Sequence, residues 1–154
     1  MYELVYNSIA DPQDIDEADL MGILAASREH NRVRGITGFL LYHRGEFVQL
    51  LEGERETVRQ VYFDYITRDP RHTNVTLCWE FEIERRSFPD WSMAFYRPDP
   101  AMYGKDARLD GYIDGGVAAL QLAGPSSTGR QLLFNICAQI DPAHFTPALP
   151  SAKP

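Results

Sequence analysis

ITGFLLYHRGEFVQLLEG, residues 36–53, holds two apolar runs separated by the short polar tetrad HRGE (43–46). Two such runs around a glycine-containing turn predict a β-hairpin. Both runs are apolar on both faces, the pattern of central strands covered on two sides rather than of a half-exposed pair. One residue interrupts the second run: Gln49, in FVQLLEG. A side-chain amide there must reach solvent or find partners inside, because an unpaired buried polar group costs about 1–3 kcal/mol.

Upstream, LVYNSIA (4–10) reads as a first strand, with Leu4, Tyr6 and Ser8 on one face and Val5, Asn7 and Ile9 on the other. Asp11-Pro12 ends it. A helix is predicted from about Asp16 to Asn31, with acids in its first turns and an inner stripe of Leu20, Ile23, Leu24, Ser27 and Asn31. Gly35 and Gly38 bracket the start of the hairpin. Downstream, ERETVRQVYFDYITRD (54–69) places Val58, Val61, Tyr62, Tyr65 and Ile66 at helical spacing, and Pro70 stops that helix near Asp69. Residues 74–84 read as a fourth strand. WSMAFY (91–96) reads as a fifth, with Trp91, Met93 and Phe95 expected on one side.

The order β-α-β-β-α-β-β predicts an α+β, ferredoxin-like split βαβ arrangement with an added strand: a five-stranded mixed sheet with both crossover helices on one face. Residues 106–123 and 129–140 look helical and are the expected cover for the other face, or an oligomer or partner contact. The last stretch, DPAHFTPALPSAKP, is rich in proline and alanine and is expected to fray. The five strands and two crossover helices end near residue 97, and residues 98–154 are read as a C-terminal helical extension.

The chain has 154 residues and a formal charge of −7, which argues against a nucleic-acid partner. Lysine occurs only at 105 and 153, so the basic groups are nearly all arginine, the better bidentate partner of carboxylate or phosphate. The N-terminus carries acids where a signal peptide carries bases, and no apolar run approaches the ~20 residues that cross a bilayer. A soluble cytoplasmic protein without membrane contact is expected. Cys78 and Cys137 form no paired motif and ask for no oxidising compartment.

Several polar side chains point between the helices and the sheet. Gln49 shares a strand face with Phe47 and Leu51, and Tyr6 lies on a neighbouring central strand, so a hydroxyl and an amide can meet across the ladder. Asn31 ends the inner stripe of the first helix, and Asp69 falls on the inner face of the second. Such groups are expensive to bury unless they satisfy one another or a polar, ring-like guest lies among them. Each one singly also has a packing or helix-ending explanation. The same holds for Trp91 and Met93 at strand spacing. Periodicity alone therefore gives a polar cleft that suits a ligand.

Other chemistry lacks motif support. There is no GxGxxG after the first strand and no GxxxxGK[ST]. His30, His43, His72 and His144 make no metal-ligand spacing with one another or with the cysteines. Glu80, Glu82 and Glu84 alternate along one strand face and read as a solvated stripe. Arg85-Arg86 reads as an exposed turn.

The residues resemble the BLUF family of flavin-based blue-light sensor domains. The resemblance rests on LVYNS, on ILAASREHNRVRGITGFLLYHRGEFVQLLEG, on ITRDPRH and on RSFPDWSMAF, in order, over roughly residues 2–97. It implies FAD between the two helices, with its ring buried near the sheet. Tyr6 then corresponds to the flavin-proximal tyrosine, and Gln49 to the glutamine between that tyrosine and the flavin. Asn31 corresponds to the asparagine at the ring carbonyls, and His30 to a position that packs on the ring. Asp69, Arg71 and His72 resemble the segment at the ring edge and ribityl-phosphate side, and Arg28 frames the polar end. Trp91 and Met93 match a pair that relays the signal.

The resemblance also implies a photocycle without enzymatic turnover. In it Tyr6 gives up an electron and a proton and Gln49 rearranges, producing a red-shifted state. As a short stand-alone member the chain would form a homo-oligomer and signal to a separate response protein, such as a cyclic-dinucleotide enzyme or regulator. The rival expectations are a light-insensitive flavin-binding or ferredoxin-like interaction module, and a small flavin enzyme.

Overall fold

The computed structural model describes residues 1–12, 15–98, 120, 127–143 and 145. Strand β1 (Tyr2–Ala10) leads to helix α1 (Glu17–Arg34), then to strands β2 (Thr37–His43) and β3 (Glu46–Gly53). Helix α2 (Arg55–Gln60) continues through a π turn (Val61–Tyr65) and a 3-10 turn (Ile66–Arg68) to strand β4 (His72–Glu82). The short strand β5 (Ala94–Tyr96) and helix α3 (Thr128–Ile140) complete the described elements. The sheet order is β4-β1-β3-β2-β5. All neighbours are antiparallel except β2 and β5, which run parallel. This is the α+β, ferredoxin-like mixed sheet that the element order predicts.

Local chemistry sets the boundaries. The hairpin turns on Arg44 (φ 49°) and Gly45 (φ 83°), two successive left-handed residues between the paired His43 and Glu46. That is the two-residue turn whose twist suits a hairpin. Asp16 caps α1 by accepting from the Asp19 N–H at 2.8 Å. At the other end Gly35 adopts φ 64°, with the Gly35 N–H on the Arg32 carbonyl and the Ile36 N–H on the Asn31 carbonyl. This paired closure consumes two otherwise orphaned helix carbonyls. Gly38 is required for a different reason: a Cβ there would lie 2.0 Å from the Leu50 carbonyl oxygen.

Two cores flank the sheet. One, between the sheet and the helices α1 and α2, gathers Leu4, Tyr6, Leu20, Leu24, Leu40, Phe47, Tyr62, Met93 and Phe95. The other, under α3, gathers Val5, Phe39, Leu41, Leu50, Phe88, Tyr96, Leu133 and Cys137. Helix α3 thus covers the face that the crossover helices leave bare. Burial pushes the Cys137 thiol up to about 12, with the Asp141 charge acting the same way.

Several expectations are corrected. The second helix is not a regular α-helix to Asp69. Its π turn leaves the Ile66 N–H on the carbonyls of Val61 and Tyr62. One extra residue in a turn rotates everything after it by about 100°. Tyr65 is accordingly turned out, 51% exposed, beneath the Arg34 guanidinium at 5.2 Å. Asp69 lies beyond the helix in extended conformation, as a residue preceding proline prefers. The fifth strand is only three residues long. Because 91–93 bends rather than alternates, Trp91 packs with the core under α3 while Met93 and Phe95 pack on the other face. Glu80 is not merely solvated: it accepts from Tyr2 and pairs with Arg59. Arg86 is tied down by the Gly35 carbonyl (2.6 Å) and the Thr37 hydroxyl (2.8 Å). Apart from the buried Leu120, the helix expected over 106–123 lies outside the described residues, as does most of the tail expected to fray.

Candidate functional site

A cavity of about 390 Å³ opens between α1 and the irregular end of the second helix, floored by β1, β3 and β2. Tyr6 and Gln49 stand at its base, 1% and 5% exposed. They are direct partners in the β1–β3 ladder, and the Tyr6 hydroxyl donates to Gln49 Oε1. The amide that interrupts the apolar strand is therefore satisfied on its oxygen by a phenol. Its Nε2 donates to Met93 Sδ at 3.4 Å, a weak acceptor.

Burial pushes the Tyr6 phenol well above its ordinary pKa, and the charges of Asp69 and Tyr62 act in the same direction. Tyr6 thus keeps its proton at any physiological pH. Its ring centroid lies 5.5 Å from that of Tyr62 and 6.5 Å from His72. His72 Nδ1 meets Ser8 Oγ at 2.9 Å. Burial lowers the His72 pKa, opposed by Asp69 and reinforced by Arg71, so the ring is held neutral.

Segment 91–93 is positioned by three donors. The Gly38 N–H bonds the Trp91 carbonyl at 3.0 Å, Asn31 Nδ2 the Ser92 carbonyl at 2.9 Å, and Arg28 Nε the Met93 carbonyl at 2.9 Å. This fixes Met93 against Gln49 and turns Trp91 away. The buried Asn31 lines the cavity, and His30 stands exposed beside it. Arg28 is not part of the lining; it holds Met93 instead.

Arg71 donates to both carboxylate oxygens of Asp69. Burial works to raise the Asp69 carboxyl, but the side-chain and backbone hydrogen bonds from Arg71 outweigh it and hold Asp69 below the usual range. Asp69, Arg71 and His72 all line the cavity, with Arg68 beside them.

Of the residues singled out in the sequence, Tyr6, His30, Asn31, Gln49, Asp69, Arg71 and His72 converge on this cavity. Arg28 and Met93 stand just behind it, and Trp91 does not join them. Sequence reasoning missed Tyr62 as the aromatic neighbour of Tyr6 and Ser8 as the partner of His72. Both sat on the correct faces, and only their apolar or small neighbours concealed them. Glu3 and Glu52, inside apolar strands, were also passed over.

The lining suits a planar heteroaromatic guest. Cavities of 300–1,000 Å³ with apolar walls and a few placed polar groups are typical small-molecule sites. Here an amide pair and a phenol offer donors and acceptors to a ring, and Arg68 and Arg71 stand on the same lining.

Residues 1–94 match the family model described as BLUF, sensors of blue-light using FAD. The chain is 38% identical over 76 residues to the photoactivated adenylate cyclase subunit beta of Euglena gracilis, covering 49% of this chain and 9% of that protein. It is 33% identical over 121 residues to the blue light- and temperature-regulated antirepressor BluF of Escherichia coli (strain K12), covering 77% of this chain and 28% of that one. The chain thus spans only a minor part of the length of these relatives. Among solved structures, the dark-state BLUF protein BlrB superposes with a TM-score of 0.60 at 32% identity, over 78% of this chain and 96% of that one. No described helix is long and apolar enough to cross a membrane. With its sheet order, its tyrosine–glutamine pair and its matching residues 1–94, this chain belongs to the BLUF family of flavin-binding blue-light sensors.

Proposed function

We propose that this chain is a blue-light photoreceptor holding FAD in the α1–α2 cavity, with Tyr6 and Gln49 as its photoactive pair. The observation that carries the proposal is the hydrogen bond from the Tyr6 hydroxyl to Gln49 Oε1, buried at the base of a cavity of ring-binding size. Flavin bound there supplies a light-generated oxidant. The chain's own groups do the rest.

Tyr6 is buried, protonated and pre-oriented, so the electron it would give to light-excited flavin would leave together with its phenolic proton, passed through Gln49 Oε1, and both would return to Tyr6 as the cycle closes. A glutamine amide carries both an acceptor and donors. An amide that takes a proton on oxygen and releases one from nitrogen has its donor and acceptor ends exchanged, so Gln49 would leave the weak Met93 sulfur and re-pair. Asn31 and His30 frame the ring, Asp69 and His72 border it, and Arg71 serves the phosphate side. The description of the matching family names FAD, and Arg68 and Arg71 on the cavity lining suit its phosphates.

Residues 1–97 form the sensor unit and 98–154 the output extension. Met93 relays the glutamine's new state toward β5, and Trp91, on the opposite side of the sheet, meets the core beneath α3. The chain performs no turnover chemistry of its own. It works in the cytoplasm as an oligomer and signals to a separate effector; relatives named as a photoactivated cyclase subunit and a light-regulated antirepressor support only the signalling part of this reading. The deciding experiment is the difference spectrum of the purified protein loaded with FAD. Blue light should shift its absorption reversibly to the red, and the absence of any shift overturns the reading.

A further inference from the structure

On the side of the sheet away from the cavity, Glu3 and Glu52 are direct partners in the β1–β3 ladder, 1% and 0% exposed. Side chains so paired stand about 5 Å apart at Cβ, and like charges facing each other there are destabilising. Glu52 is well supplied: Oε1 accepts from the Ser87 N–H at 2.6 Å, and Oε2 from the Phe88 N–H at 3.0 Å and the Thr37 hydroxyl at 3.3 Å. Glu3 is not. Its Oε1 accepts from Trp79 Nε1 at 3.0 Å and from the Gly129 N–H of α3 at 2.9 Å. Its Oε2 is buried with no partner among the described residues.

Two carboxylates desolvated side by side cannot both ionise cheaply, and the usual resolution is a shared proton. We propose that Glu3 and Glu52 hold a single proton between them, and that this proton gates the docking of α3 on the sheet.

The geometry makes Glu3 the moving part. Glu52 is fixed by the loop at 87–88, whereas Glu3 bridges the sheet and the first turn of α3. Gly129 packs so tightly on the Glu3 carboxyl that a Cβ there would lie 2.9 Å from it. Other charged groups surround the pair. Arg86 reaches the Glu52 carbonyl, and the Arg130 guanidinium of α3 donates to the Leu120 carbonyl. Glu82, Glu84 and Arg85 share with Glu3 a cavity beside β4. The α3 N-terminus favours one negative charge but does not remove the repulsion between two.

Burial raises the Glu52 carboxyl and the Glu3 charge raises it further, against the hydrogen bonds from Ser87, Phe88 and Thr37. A group with a raised folded pKa contributes stability at low pH and loses it as pH rises through the folded value. The docked helix is therefore held best while the pair keeps its proton. At higher pH the second charge expels Glu3, and α3 with it.

The test follows the Trp79 indole N–H and Gly129 amide resonances of the full chain by NMR across pH. It needs no illumination, so its outcome is independent of the photochemistry. Both resonances should titrate together with a midpoint above the ordinary 4.5. Exchange protection of α3 amides, corrected for intrinsic rates, should fall about tenfold per unit of pKa difference between docked and undocked forms. Glu52→Gln should lower the midpoint, and Glu3→Gln, which removes the charge facing Glu52, should reduce the pH-dependent loss of protection. A midpoint at or below 4.5, no titration, or a midpoint indifferent to Glu52→Gln overturns the proposal. If Glu52→Gln does not fold, the comparison of wild type with Glu3→Gln decides.

Discussion

Tyr6 and Gln49 face each other across the β1–β3 ladder, and the phenol donates to the amide oxygen while the amide nitrogen has only the Met93 sulfur. A strong bond on one side of the amide and a weak one on the other leaves Gln49 easy to re-pair. Tyr6→Phe removes the phenolic proton and the proposed electron donor but keeps the ring packing. The variant should bind flavin and lose the light-induced red shift. Gln49→Leu should likewise fold and bind while losing the shift. Absorption spectra before and after blue light read both, and a normal shift in either variant removes that residue from the mechanism.

Met93 and Trp91 should separate cleanly. Met93 is 1% exposed and touches the Gln49 amide, whereas Trp91 packs on the far side of the sheet. Met93→Ala should change the dark spectrum and the recovery rate several-fold and cost about 2–5 kcal/mol of stability. Trp91→Ala should leave the spectrum in place. Recovery kinetics after a light pulse decide; equal effects from the two would contradict the assignment.

Arg71 grips Asp69 on the cavity lining and is proposed to serve the flavin phosphates. Arg71→Ala should weaken FAD about tenfold or more, since charge-assisted hydrogen bonds are worth about 1.5–3 kcal/mol. Riboflavin, which lacks phosphate, should lose much less. Fluorescence titration of both ligands checks this, and an equal loss for the two would place the phosphates elsewhere.

Gly38→Ala would press a methyl group to 2.0 Å from the Leu50 carbonyl oxygen, which is backbone and cannot step aside. The β2–β3 pairing must open locally. A loss at the upper end of single-substitution effects, about 3 kcal/mol or more, is expected in urea unfolding. Gly22→Ala, which meets nothing within 4 Å, serves as the control and should be neutral or stabilising.

His72 gives the acid side of the stability curve a definite sign. Burial lowers its folded pKa beneath the ordinary 6.5. The unfolded chain therefore takes up the proton first. The contribution is present above 6.5 and is lost as pH falls through the folded value. Urea midpoints of His72→Gln should decline less on acidification than those of wild type. Parallel declines would show that His72 is not the titrating group.

The sequence by itself determined the element order, the hairpin and the inward faces of the first three strands. Period-two and helical patterns are local consequences of backbone geometry and need no neighbour to be read. For the same reason Tyr6, Asn31 and Gln49 were legible as polar residues on buried faces. Three features were decided only by the tertiary structure. The π turn at Val61–Tyr65 is not written in the helical spacing of Val58, Val61, Tyr62, Tyr65 and Ile66. The side on which Met93 and Trp91 fall depends on donors from Gly38, Asn31 and Arg28, far away in the chain. The pairing of Glu3 with Glu52 under α3 requires the strand register and the helix together. A buried charge inside an apolar strand shows its meaning only when its partner across the ladder is known.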